Sequence, residues 1–157
     1  MKYIVKNKKL YYFLQFTWGL LMNAIGALVF AVLIVFAGKK PKKFGNCWYI
    51  VIGKSWGGLE LGTFFLTDSH ESLSAKYHEA GHGLQNIIWG PLFPFVIGIP
   101  SALRYWYREI MKKVNYEKYR QLPSYDSIWF EGQATEWGYK YYQPDIEEKV
   151  GELFDGK

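Results

Sequence analysis

The sequence predicts an α+β fold, mainly helical, with one helix crossing a membrane. Three observations predict it. Residues 10–38 carry no charged side chain. Two segments rich in strand formers, residues 48–52 and 59–66, flank the turn-forming pair Gly57-Gly58. After Ser72, three stretches carry helix caps, helical spacing and proline stops.

The N-terminal segment comes first. Spanning a bilayer as a helix takes about 20 apolar residues, and the run 10–38 exceeds that. Tyr11, Tyr12 and Trp18 suit an interfacial belt at one end. The run is longer than the core of a signal peptide, so residues 1–43 read as a basic N-terminus and uncleaved anchor. Eight lysines and no acidic residue lie in that segment, four lysines on each side of the run. Their symmetry leaves orientation unread. The other 114 residues hold 11 basic and 14 acidic side chains, so the net charge of +5 belongs to the anchor. Basic charge flanking an apolar run points to lipid headgroups as partner. A nucleic-acid binder would carry it on the folded domain, so nucleic acid is excluded.

Residues 44–144 form the domain, and 157 residues leave room for one. Half of the residues are hydrophobic and 20% are aromatic, which excludes a disordered chain. The single cysteine, Cys47, cannot form an internal disulfide and reads as a buried small hydrophobe. Residues 48–66 read as a β-hairpin turning at Gly57-Gly58. Asp68, Ser69 and Ser72 offer caps for a helix over 72–88. A second apolar stretch, residues 87–103, is interrupted by Gly90, Pro91, Pro94, Gly98 and Pro100. It reads as membrane-associated: a kinked span, a re-entrant segment or a surface loop. Arg104 and Arg108 among Tyr105, Trp106 and Tyr107 read as an interface anchor. A helix follows over 101–122, stopped by Pro123. A last helix begins near Asp126 or Ser127 and stops before Pro144. Residues 145–157 are an acidic tail that frays.

Chemistry concentrates in the helix over 72–88. Two of the three histidines fall in His78-Glu79-Ala80-Gly81-His82. Positions i and i+4 share a helix face, so both imidazoles can reach one Zn²⁺. Glu79 lies beside the first ligand and suits the general base for a zinc-activated water. Glycines at 81 and 83 leave space for neighbouring backbone. An open catalytic site needs a third protein ligand. Glu131 is the preferred one, because it shares a helix face with Ala134, Thr135 and Gly138 at i+3, i+4 and i+7. Glu136 lies about 140° around that helix, and His70 sits in the loop before the motif. These two are the alternatives. No tyrosine stands out among the thirteen as an oxyanion donor, and His70 is a possible one.

His-Glu-x-x-His followed by a later Glu-x-x-Ala resembles the gluzincin metallopeptidases, in particular membrane-bound ones of the prenyl-protein and heat-shock types. Those usually read Glu-x-x-Ala-Asp, and here Thr135 replaces the Asp. A closer resemblance is to small, uncharacterised bacterial membrane proteins carrying His-Glu-x-Gly-His-x-x-Gln, Gly-Pro-Leu and Ile-Gly-x-Pro-Ser. The matching residues are 78–85, 90–92 and 97–101. The resemblance implies a zincin-type helix, the ligands His78, His82 and Glu131, and Glu79 as base. The leading reading of function is hydrolysis of peptide bonds in peptides or membrane proteins, by a protein of a bacterial inner membrane. Two other readings compete. One is a non-catalytic zinc-binding interaction module at the membrane. The other is a zinc hydrolase of a non-peptide amide or ester.

Overall fold

Period-two alternation builds the centre of the chain. The structure is a computed structural model describing the backbone of residues 1–155 and the side chains of residues 1–144, 146 and 147. Strands β1 (Lys42–Phe44), β2 (Cys47–Val51), β3 (Gly58–Leu61) and β4 (Phe64–Thr67) form one sheet in the order β1-β2-β4-β3. The hairpin expected between 48–52 and 59–66 does not form. Gly62 adopts φ +82°, a left-handed conformation that glycine tolerates, and it splits the second segment into two strands. The hairpin is therefore β3–β4, β2 runs parallel to β4, and β3 becomes an edge strand. Cys47, Tyr49 and Phe65 pack on one face of the sheet; Ile50, Phe64 and Leu66 pack on the other.

The long apolar run is broken. Helix α1 (Lys2–Lys6) leads into α2 (Lys8–Phe16), and Thr17 to Gly19 separate α2 from α3 (Leu20–Ala37). Helix α3 is long and apolar enough to cross a membrane, with a mean hydropathy of 2.6. Helix α2 belongs to the core instead. Three amides that the absence of charge concealed cause the break. Asn23 Nδ2 donates to Gln15 O and Gly19 O, and Asn86 Nδ2 donates to Gln15 Oε1 and Gly19 O. A Cβ at Gly19 would strike the Asn86 amide. Tyr11 accordingly leaves the expected interfacial belt: it is fully buried, 3.4 Å from Cys47 Sγ. Cys47 is the buried apolar filler its sequence context suggests. One side of α3 packs along the sheet through Met22, Gly26 and Phe30, and the rest is exposed.

Helix α4 (Leu73–Trp89) lies against the other face of the sheet. Ser72 is its N-cap residue but gives no side-chain cap. Asp68 stabilises the preceding loop instead, accepting from Trp56 N and Gly57 N. A 3₁₀ turn (Gly90–Leu92) and a π turn (Pro94–Gly98) follow, and the chain bends by 116° into α5 (Ile99–Val114). The helix expected over 101–122 breaks at Asn115, whose side chain caps α6 (Tyr116–Gln121). Arg104 and Arg108 are not free anchors. Arg104 donates to Tyr125 O, Ser124 O and Ser127 Oγ, and Arg108 to Pro123 O.

Helix α7 (Trp129–Asp155) passes through Pro144, where a stop was expected, and carries the tail backbone with it. An interior proline costs about 3 kcal/mol. Tyr142 and Ile146 on either side of it pack into the core and hold the helical path, while the proline itself is exposed. Gly156 and Lys157, the end of the acidic tail, lie outside the described residues. Helices α4 and α7 meet at backbone distance. A Cβ at Gly81 would collide with Ala134 O, and one at Gly138 with Tyr77 O.

Candidate metal centre

The i, i+4 spacing on α4 and the buried face of α7 place three donors around one point. His78 Nε2 and His82 Nε2 are 3.1 Å apart. Glu131 Oε2 lies 3.1 Å from the first and 3.2 Å from the second. Tetrahedral ligands about 2.0–2.1 Å from a zinc ion stand roughly 3.3 Å from one another. The three groups therefore have the separation that a small divalent cation imposes, and His78, His82 and Glu131 could hold a metal ion. The helix face read from Glu131, Ala134, Thr135 and Gly138 is the one that meets α4.

Hydrogen bonding orients both imidazoles. Thr135 Oγ1 donates to Asp126 Oδ2 at 2.9 Å, so its oxygen accepts from His78 Nδ1 at 2.7 Å. Gln85 Nε2 donates to Phe130 O and Gln133 Oε1, which orients Gln85 Oε1 to accept from His82 Nδ1 at 2.7 Å. With Nδ1 held as the donor of each ring, each Nε2 points at Glu131, as a lone pair for a cation or, when protonated, as a hydrogen-bond donor to the carboxylate.

Glu131 is fully buried, and its Oε1 has no hydrogen-bond partner among the described residues. A buried, half-satisfied carboxylate calls for a cation. Burial pushes its pKa up, but hydrogen bonds from His78 and His82 outweigh that and hold the carboxyl well below the usual carboxylate range. Burial pushes His78 down; the hydrogen bond to Glu131 and the charges of Glu79, Glu131 and Asp126 reverse this, so its pKa is raised.

No protein family, curated protein or solved structure matches this chain. The donor set therefore rests on its own geometry. Glu136 is exposed, 3.8 Å from Lys140 Nζ, away from the histidines. His70 Nε2 is 2.8 Å from Ser55 Oγ in the loop before α4. Neither joins the cluster.

A cavity of about 1090 Å³ adjoins His78 and His82. Glu79 lines it, beside Gly58 of the edge strand, where a Cβ would strike the Glu79 carboxylate. Burial, first among its causes, raises the pKa of Glu79, with Glu131 adding to the rise and the two histidines opposing it. Tyr125 also lines the cavity, its hydroxyl 3.3 Å from Ser101 Oγ and its ring beneath Arg104 and Arg108. Burial and Glu131 push its phenol far up, so it stays a donor. Sequence reasoning missed Asp126, Gln85 and Tyr125 as parts of the site. Gln85 falls within the His-Glu-x-Gly-His-x-x-Gln pattern, which was its only signal. Asp126 and Tyr125 carry none.

Proposed function

We propose that this chain is a membrane-anchored zinc metallopeptidase of gluzincin type, hydrolysing peptide bonds in peptides or membrane proteins. One observation carries the reading. A carboxylate that does not belong to the donor triad, Glu79, faces a large cavity beside that triad. A purely structural site has no use for such a group and usually closes with four protein ligands. Two imidazoles and a carboxylate at this spacing suit Zn²⁺, and helix α3 supplies the anchor.

Bound zinc would supply Lewis acidity that brings the ionisation of water near neutral pH. Glu79 takes the proton of the attacking water and hands it to the leaving amine. Its raised pKa suits both transfers. Strand β3 offers unpaired backbone groups along the cavity wall, so a substrate can bind as an added strand. Tyr125, which lines the same cavity, donates its hydroxyl to the carbonyl oxygen as it gains charge.

The test compares the natural chain with Glu79→Gln in detergent, using a mixture of quenched fluorescent peptides rich in apolar residues. Glu79→Gln should keep its zinc and lose peptide cleavage by at least about a hundredfold. Cleavage that survives the substitution, or that never responds to zinc removal, would overturn the assignment.

A further inference from the structure

Helix α5 buries none of its residues, although it is 16 residues long. Its outward face is not polar. Phe95, Ile99, Leu103, Trp106, Ile110 and Val114 follow one another at steps of four, four, three, four and four, and every one is at least half exposed. That spacing is a single helical stripe. The opposite side is committed to the protein, where Arg104 and Arg108 bind the backbone of the segment before α7. We infer that this stripe lies in the membrane interface, in the plane of the bilayer, as a second lipid contact beside α3.

Three features select lipid as the occupant. First, the segment that leads into α5 is fixed against α3, the helix apolar enough to enter a membrane. Phe93 and Ile97, just before α5, pack in one cluster with Met22 of α3. Second, charge complements it. With Arg104 and Arg108 committed to the protein, the last turns of α5 still carry Lys112 and Lys113 against Glu109 alone, which matches anionic headgroups. Third, length forbids the alternative of crossing. At 1.5 Å per residue the helix is about 24 Å long, short of the roughly 30 Å hydrocarbon core, and it carries five charges.

The placement has a consequence for the cavity. Ile99 and Trp106 belong both to the stripe and to the cavity wall, and Met22 forms part of that wall too. The mouth of the cavity lined by His78 and His82 then meets the bilayer surface. Substrates reach it from the interface, as segments already embedded there or tethered by an apolar group. This last step rests on the peptidase reading; the lipid contact itself does not.

The experiment uses the full chain in phosphatidylcholine–phosphatidylglycerol vesicles. Cys47 is buried, so added cysteines can be labelled singly with an environment-sensitive fluorophore. The positions are Leu103→Cys and Ile110→Cys on the stripe, Lys118→Cys on α6 and Leu28→Cys on the exposed side of α3. Labels at 103 and 110 should be quenched severalfold more by lipids with a nitroxide near the headgroup than by lipids with one deep in the acyl chain. The label at 118 should respond to aqueous iodide only. Iodide quenching at 103 and 110 without lipid quenching would overturn the inference. So would deeper quenching there, which means a span, or self-quenching that rises with protein density, which means a second copy. Failure of the Leu28 label to meet either nitroxide would sink the anchor reading of α3 instead, and the two failures are distinguishable.

Discussion

The hydroxyl of Thr135 accepts the Nδ1 proton of His78 at 2.7 Å while donating its own proton to Asp126 at 2.9 Å. The pattern Glu-x-x-Ala-Asp would put a carboxylate at this position of α7. Here the carboxylate sits one step further out, and a hydroxyl connects it. A group that orients a metal-binding histidine typically contributes about 10- to 100-fold to metal affinity. Thr135→Val, which keeps the shape and removes the hydroxyl, should therefore weaken zinc binding by about 10- to 100-fold. Thr135→Ser should stay near the natural value. Competition with a chromogenic chelator reads both. Equal affinity for the valine variant would mean that His78 needs no such partner.

The third ligand can be tested by substitution on one helix. Glu131→Gln replaces the buried donor, whereas Glu136→Gln alters a side chain that is solvated and paired with Lys140. Zinc measured by elemental analysis should fall from near one ion per chain to a small fraction for the first variant and stay unchanged for the second. Equal losses, or the reverse order, would remove Glu131 from the site.

The sequence made this donor set legible because helical spacing is a strong constraint. His78 and His82 had to share a face, and the small residues Ala134 and Gly138 marked the side of α7 that could approach them. The partners of the histidines were not legible. Asp126 precedes α7, and its position depends on Arg104 clasping the turn at 124–127 from α5, a contact between residues about twenty positions apart. The sheet failed for a related reason. Alternation identified strands but not their neighbours, and only the φ +82° turn at Gly62 places β2 beside β4. The apolar run misled because it was judged by charge. Gln15, Asn23 and Asn86 are neutral, yet their hydrogen bonds pull α2 into the core.

The close approach of α4 and α7 gives a prediction about stability. A methyl group at Gly81 would overlap Ala134 O, and one at Gly138 would overlap Tyr77 O. Backbone atoms cannot rotate away as side chains do, so the helices must separate. Overpacking of this kind costs about 1–3 kcal/mol or more. Gly81→Ala and Gly138→Ala should each lower the melting temperature by several degrees and reduce bound zinc, since Glu131 retreats with α7. Gly57→Ala is a useful contrast: no atom crowds that position, so its cost comes only from the φ of +97° and zinc should be retained. Unchanged zinc in the two crowded variants would show that the helices can separate without moving the donors.

Glu60 offers a pH-dependent test outside the metal donors. It lies on the edge strand, buried, with Oε1 accepting from Gly62 N and Oε2 without a partner among the described residues. Burial, and more weakly the charge of Glu79, push its pKa well above 4.5, while the Gly62 bond opposes them. An acid whose pKa is raised by folding binds more protons in the native state than in the unfolded state. Stability therefore falls as pH rises from the unfolded value toward the folded one. Glu60→Gln keeps an acceptor for Gly62 and cannot ionise. Its melting temperature should match the natural chain near pH 4.5 and exceed it increasingly toward pH 8. Thermal melts of the two proteins across that range decide the matter. A difference that does not change with pH, or one that favours the natural chain at high pH, would mean that Glu60 is ionised in the folded protein and has found a partner for its free oxygen.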